Sequence, residues 1–179
     1  CLMGQHVCLL TAYGDDQYRE MIEKEADEIG LDLRHALCVP GGRTAIYLYL
    51  NEPDGTMAVA VNDMKICREL TPKYFEKNLE LINRAKLLIV DANLSTESIA
   101  YLTEHVSVPI FADMVSAAKA PRFLPFLSKL HTIKPNLMEA EMLSGMQITD
   151  EETLMEAVER IRETGIRQFF ISQGEAGIV

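Results

Sequence analysis

Asn136-Leu137-Met138-Glu139 sets an amide and a carboxylate three residues apart, directly after an apolar run and Lys134-Pro135. That spacing matches a capping box, with Asn136 just before a helix and Glu139 at its third position. A cap alone accounts for both polar side chains. The same residues are open to a second use, because a helix start concentrates free N–H groups and partial positive charge where phosphates bind. A carboxylate at that point can also orient a hydrated Mg²⁺. SQGEAG at 172–177 poses a similar choice. A tight hairpin in which Gly174 and Gly177 supply positive φ is the simpler account. Two glycines three apart also let backbone N–H groups approach a nucleotide, with the Ser172 hydroxyl as a further donor. The segment is neither a Walker motif nor a GxGxxG fingerprint.

Asp91-Ala92-Asn93 and Asp113 close two other apolar runs, where a polar residue is as readily a turn former or helix cap as a ligand contact. Asn62-Asp63-Met64 reads as an ordinary exit from a strand, and Lys119 as a solvated lysine. No Ser-His-Asp or Cys-His arrangement competes with these sets. Cys1, Cys8, Cys38 and Cys67 have no CxxC spacing, and the four His form no HxH or HExxH set, so neither a zinc site nor a redox pair is suggested.

The elements that must position these residues follow from hydrophobic period. HVCLLTAY (6–13) reads as a strand closed by Gly14-Asp15-Asp16, and a helix to Ile29 follows, with Tyr18, Met21, Ile22 and Ala26 at helical spacing. TAIYLYLN (44–51) and TMAVAVND (56–63) flank Glu52-Pro53-Asp54-Gly55, which makes a β-hairpin. Thr71-Pro72 opens a helix that carries Phe75, Leu79 and Ile82 on one face. KLLIVDANL (86–94), VPIFADMV (108–115), LHTIKPN (130–136) and RQFFISQG (167–174) then read as near-continuous apolar strands, separated by helical segments. Such runs suit a parallel sheet covered on both faces. A capping box at Thr149-Asp150-Glu151-Glu152 opens the last of these helices.

The expected architecture is α/β, built of right-handed βαβ units, with ligands beyond the carboxyl ends of the strands. That rule gathers residues 91–93, 113–116, 134–139 and 172–177 at one sheet edge. Their co-location points to a phosphate-handling small-molecule site, with the hairpin as a cover.

Composition bounds the partners. With 179 residues, 25% charged and 48% hydrophobic, the chain falls in the globular class. A net charge of −10 disfavours a nucleic acid polymer but leaves room for a small anionic ligand. No apolar stretch of about 18 residues exists, and no signal sequence is visible, so the expectation is no membrane and a cytoplasmic protein. The chain opens on Cys1 and closes on the strand-like Gly177-Ile178-Val179, from which a fragment of a longer protein is expected.

With these residues in view, the whole chain resembles the ribokinase-like (PfkB) carbohydrate kinase family, most closely its pseudouridine kinase branch. The resemblance is carried by VCLLTAYGDD, TAIYLYLNEPDGTMAVAVNDM, VDANLS, FADMVSAAKA, HTIKPNLMEAEMLSG and FISQGEAGIV. It implies a mostly parallel, helix-flanked sheet with a small β lid at 44–63, and Mg²⁺-dependent phosphoryl transfer from ATP to the 5′-hydroxyl of pseudouridine. Asn136 and Glu139 match the family's NxxE motif, whose Glu acts on the Mg²⁺ water network. Ser172, Gly174 and Gly177 match its nucleotide-contacting turn, and Asp113 a strand end facing the phosphates. Asn93 falls at a substrate-contacting position. The lid, with Thr44, Asn62 and Asp63, closes over the sugar and often supports a homodimer.

The resemblance also implies what this stretch lacks. The family's Gly-Gly motif and first strand are expected before residue 1, and the GAGD segment with its catalytic Asp base after Val179. The 179 residues are thus expected to form a partial kinase domain, inactive on its own. Arg19 replaces the Gly that often follows GDD. The readings that compete with this branch are another sugar or nucleoside kinase of the family, and a non-catalytic α/β binding or dimerisation module.

Overall fold

A computed structural model of the chain describes residues 1, 3–52 and 57–179. It divides into two compact units, Cys1–Leu70 and Thr71–Val179.

In the first unit, β1 (Ala12–Gly14) pairs in parallel with β2 (Leu37–Val39), and α1 (Arg19–Glu28) connects them. The strand expected over 6–13 is regular only at its end. Its partner offers three paired residues and a further bridge from Cys8 to Asp32. A strand is only as long as the ladder that satisfies its amides, and the three-residue β2 lies too far along the chain for local pattern to show it. Gly14 stands where the backbone of 42–44 passes closest, since a Cβ there would meet Gly42 O at 2.3 Å.

The hairpin forms as expected, β3 (Ile46–Asn51) antiparallel to β4 (Met57–Asp63), with Leu48 opposite Val61 and Leu50 opposite Val59. Residues 53–55 of the expected turn lie outside the described residues. The alternation does not separate a buried face from a solvated one. Leu48, Leu50 and Val61 are each 66–67% exposed, and Tyr47 and Tyr49, on the other face, are more than half exposed.

The second unit begins with α2 (Pro72–Lys77) and α3 (Leu79–Asn83). Thr71 caps α2 by accepting a hydrogen bond from the Tyr74 N–H, but the single helix expected here is interrupted at Asn78, so Phe75 and Ile82 are buried from two separate helices and Leu79 is only half-buried. Four parallel strands follow in the order β5 (Leu88–Asp91), β6 (Ile110–Asp113), β7 (Thr132–Ile133), β8 (Gln168–Phe169). Crossovers are made by α4 (Thr96–His105), by 3-10 segments at Ala120–Arg122 and Leu124–Lys129, and by α5 (Leu137–Ser144) with α6 (Glu151–Glu163).

One sheet face, carrying Val90, Ala112 and Ile133, is buried with Ile99, Leu102, Phe123, Leu127 and Ile161. Each of the larger side chains, Ala112 apart, stabilises the fold by about 1.5–3 kcal/mol relative to exposure. The opposite face runs Ile89, Phe111, Thr132, Gln168. There Ile89 is 69% exposed, so the expected cover on both faces does not extend to this end of the sheet. The α6 cap also differs from the expected register. Asp150, not Thr149, is the cap: its carboxylate accepts from the Thr153 N–H at 2.8 Å, and the Thr153 hydroxyl accepts from the Asp150 N–H at 3.1 Å. A carboxylate is the stronger acceptor for a helix N–H.

Candidate active site

All four strands of the second unit run the same way, so their carboxyl ends form one edge, and the expected residue sets lie along it in the order 91–93, 113–116, 134–139, 172–177. Asp91 and Asp113 are register partners on β5 and β6. Further along, Asn136 forms a parallel bridge to Ser172, which seats the helix start of α5 beside the glycine-containing turn.

Asn136 and Glu139 form both bonds of a capping box. The Glu139 N–H donates to Asn136 Oδ1 at 2.9 Å, and the Asn136 N–H donates to Glu139 Oε2 at 2.8 Å. At the other end Gly145 terminates α5 with φ 69°, a left-handed conformation that glycine adopts without a Cβ penalty. The cap satisfies the amide of Glu139 and leaves those of Leu137 and Met138, in the first turn, without an intrahelical acceptor. These two N–H groups are the donors available to an anion. Glu139 is only 4% exposed. No side-chain nitrogen or oxygen among the described residues is buried without a hydrogen bond, so Glu139 Oε1, which takes none, is the oxygen that solvent reaches.

That donor set decides what metal the site could hold. Among the described residues no group of three or more His, Cys, Asp or Glu side chains could enclose an ion. One solvent-reached carboxylate oxygen beside free amides instead fits Mg²⁺ held through its waters and through ligand phosphates, the mode Mg²⁺ favours.

Ser172 is held more firmly than a free donor would be. Its N–H donates to the Pro135 carbonyl at 2.9 Å and its hydroxyl points at the same oxygen at 3.4 Å. The chain then turns through a 3-10 segment, Gly174–Ala176, and returns so that Ser172 pairs with Ile178. Gly174 and Gly177 have φ of 60° and 98°, so the hairpin account and the glycine requirement are both met.

At the other end of the edge, Asp91 and Asp113 each receive a backbone N–H two residues on, from Asn93 at 2.7 Å and Val115 at 2.8 Å. Both are turn formers. After Asp113 the chain makes a three-residue turn, with Ser116 N–H on Met114 O at 2.6 Å and Val115 at φ 64°. A β-branched residue in that region stores about 1–3 kcal/mol of strain.

Lys119 departs from its expected solvated state. It is half-buried, and its Nζ donates to Asn93 Oδ1 at 2.6 Å. Arg122, which sequence reasoning missed, donates to the carbonyls of Ala92 at 2.6 Å and Leu94 at 2.9 Å. The only available hint was two cations three residues apart in KAPR, directly after a strand end.

Thr44, Asn62 and Asp63 belong to the first unit. The Thr44 hydroxyl is already engaged, accepting from the Gly14 N–H at 3.0 Å and donating to Asp16 at 2.8 Å, while the Thr44 N–H donates to the other Asp16 oxygen at 2.7 Å. The backbone bond from Thr44 is the main cause that holds the Asp16 carboxyl below its ordinary pKa. Asn62 lies exposed opposite Tyr47 in the hairpin. Asp63 receives the Lys65 N–H at 3.1 Å and turns the chain into a 3-10 segment, Lys65–Glu69.

A parallel sheet whose carboxyl edge carries a capped helix start beside a glycine turn presents free backbone amides where α/β folds commonly take small anionic ligands. The chain belongs to the pfkB family of carbohydrate kinases, whose model matches residues 2–179. It is 35% identical over 178 residues to the pseudouridine kinase of Escherichia coli (strain K12), covering 99% of this chain and 57% of that protein. The ribokinase of Arabidopsis thaliana, solved with ribose and ATP, superposes with a TM-score of 0.78 at 18% identity over 97% of this chain and 57% of its own. A nucleoside kinase of Burkholderia thailandensis, solved with inosine, gives 0.67 at 16% identity over 99% and 55%. The fold is therefore ribokinase-like, as expected. The chain spans about half the length of the curated relatives it matches.

Proposed function

We propose that the protein containing this chain transfers a phosphoryl group from ATP to a nucleoside or sugar hydroxyl, with pseudouridine as the substrate and pseudouridine 5′-phosphate as the product. The observation that carries the reading is the start of α5. The capping box fixes its geometry, the Leu137 and Met138 amides remain as donors, and Glu139 keeps one oxygen toward solvent beside the Ser172 turn. The 35% identity to a pseudouridine kinase favours that substrate among those the family takes.

Phosphoryl transfer needs positioning and charge stabilisation more than covalent chemistry, which matches what this edge provides. The amides at the helix start hold phosphate oxygens by hydrogen bonds and by the helix dipole. Mg²⁺, when bound, neutralises charge on the triphosphate. Glu139 would hold the ion through its waters, and Asn136 keeps the carboxylate in register. Gly174 and Gly177 let the backbone come close to the nucleotide, and Asn93 contacts the acceptor. The base that activates the hydroxyl we assign to a part of the relatives that this chain does not span, so these 179 residues alone should not turn over.

The hairpin supports a second part of the proposal. Leu48, Leu50, Val59 and Val61 form an exposed apolar face on a two-stranded ribbon, which is marginal in water without a partner. We assign that face to a second copy of the chain, making a homodimer.

The test is to incubate the intact protein with ATP and Mg²⁺, offering pseudouridine, ribose, adenosine and fructose in turn. The reading expects phosphorylation of pseudouridine in preference to the others and abolished by EDTA. Preference for ribose or adenosine would move the protein elsewhere in the family. No transfer to any acceptor would leave a binding module.

A further inference from the structure

We propose that Lys119 is a positioning residue that sets which edge of Asn93 faces the substrate, and so makes this part of the site a reader of acceptor oxygens. The inference rests on the kinase reading above and adds a residue to it.

An ammonium group has three donors and no acceptor. The contact of 2.6 Å between Lys119 Nζ and the Asn93 side chain must therefore be made to the carbonyl oxygen, which fixes the orientation of an amide whose two ends otherwise look alike. With Oδ1 taken, Asn93 offers its NH₂. Among the described residues no hydrogen bond engages that NH₂ group, so it is left to donate to a ligand. A substrate hydroxyl or carbonyl oxygen satisfies it, and a group that can only donate does not.

The surroundings hold both partners. The Asn93 N–H donates to Asp91 Oδ1 at 2.7 Å, and Arg122 grips the carbonyls on either side, Ala92 and Leu94. The neighbouring Ala92 N–H donates to the Asp113 carbonyl at 3.0 Å. Lys119 caps the 3-10 segment Ala120–Arg122, with Ala120 and the following Phe123 fully buried, and its own N–H donates to Ser116 O at 3.0 Å. The two side chains come from segments 26 residues apart and meet on a backbone with little freedom. A substrate lacking the matching oxygen leaves this positioned, half-buried donor to water, at a cost of about one hydrogen bond.

The experiment is a double-variant cycle in the intact protein, with initial rates at varied nucleoside and varied ATP. Lys119→Met should raise the KM for the nucleoside about tenfold, the loss of roughly one hydrogen bond, while the KM for ATP stays within about twofold. Asn93→Ala should do the same, and the double variant should be no worse than Asn93→Ala alone, since the lysine acts through the amide. Lys119→Arg, which can donate to the same oxygen, should recover most of the loss. The 2′- and 3′-deoxy analogues give a second readout: the penalty for the hydroxyl that Asn93 reads should shrink in Lys119→Met as it does in Asn93→Ala. Additive losses, a rise confined to the KM for ATP, or a silent Lys119→Met in an active enzyme would overturn the positioning role alone. An intact protein that phosphorylates no nucleoside or sugar would overturn the kinase reading and this role with it. The Asn93 side-chain amide resonance, which should move in Lys119→Met, checks the contact without turnover, and an unmoved resonance would also overturn it.

Discussion

Replacing Glu139 separates its two roles, the cap and the charge. Glu139→Ala removes the carboxylate that accepts the Asn136 N–H at 2.8 Å. A hydrogen bond to a charged group is worth about 1.5–3 kcal/mol net, and the exposed Asn136 lets water recover part of it. The expected loss of stability is therefore about 1–2 kcal/mol. At roughly 2–4 °C per kcal/mol for a chain of this size, the melting temperature should fall by about 2–8 °C. Glu139→Gln keeps an oxygen that can accept the same N–H and should cost about 1 kcal/mol or less, a few degrees at most. Activity should follow a different order. Both variants lose the charge that, on the proposed kinase reading, would hold Mg²⁺ through its waters, and kcat in the intact protein should drop at least about 100-fold in each, near 2.7 kcal/mol of transition-state stabilisation. Thermal unfolding by circular dichroism and initial phosphorylation rates read the two effects on the same samples. A Glu139→Gln protein with kcat within twofold of the parent would show that Glu139 is a cap and nothing more. Equal destabilisation by Gln and Ala would refute the cap geometry instead.

The first unit yields three further outcomes. Asp16 has its folded-state pKa below the ordinary 3.8, so the stability it contributes is present above that value and lost as pH falls through the lower folded-state pKa. The protection factor of the Thr44 amide, its exchange rate corrected for the intrinsic pH dependence, should fall on acidification in that window, and Asp16→Asn should flatten the dependence. Gly14→Ala drives a Cβ to 2.3 Å from Gly42 O and 2.9 Å from Thr44 N, both backbone atoms, and should cost about 1–3 kcal/mol or more by thermal unfolding. In the hairpin, Leu48→Lys or Val61→Lys places a charge on the exposed apolar face and should shift the intact protein from dimer toward monomer in analytical ultracentrifugation, with its fold retained. An unchanged sedimentation coefficient would remove the hairpin from the interface.

Much of this site could be read from local pattern. Asn136 and Glu139 announce a helix start by spacing alone, because a capping box is a contact between neighbours in sequence, and both of its bonds form. The runs that become β5, β6, β7 and β8 are apolar enough to mark a parallel sheet, and parallel order puts their carboxyl ends together. What could not be read depends on distant partners. β1 is short because β2 is short, and β2 is three residues whose only distinction is to lie beside β1. The Lys119 contact to Asn93 and the Arg122 contacts to Ala92 and Leu94 join segments 26 to 30 residues apart, and an isolated lysine in a sequence looks the same whether solvated or held. The α6 cap shows the limit of local reading too. Thr149 and Asp150 are both good capping residues, and only the geometry of Thr153 selects between them.

The claim that the start of α5 is where phosphate is held has a direct test. Amide resonances of the intact protein are followed while an unhydrolysable ATP analogue and Mg²⁺ are added. Saturable shifts are expected, largest at Leu137 and Met138, the two first-turn amides left open by the cap, with smaller ones around Ser172 and Gly174. Saturable nucleotide binding that leaves Leu137 and Met138 unmoved would contradict it.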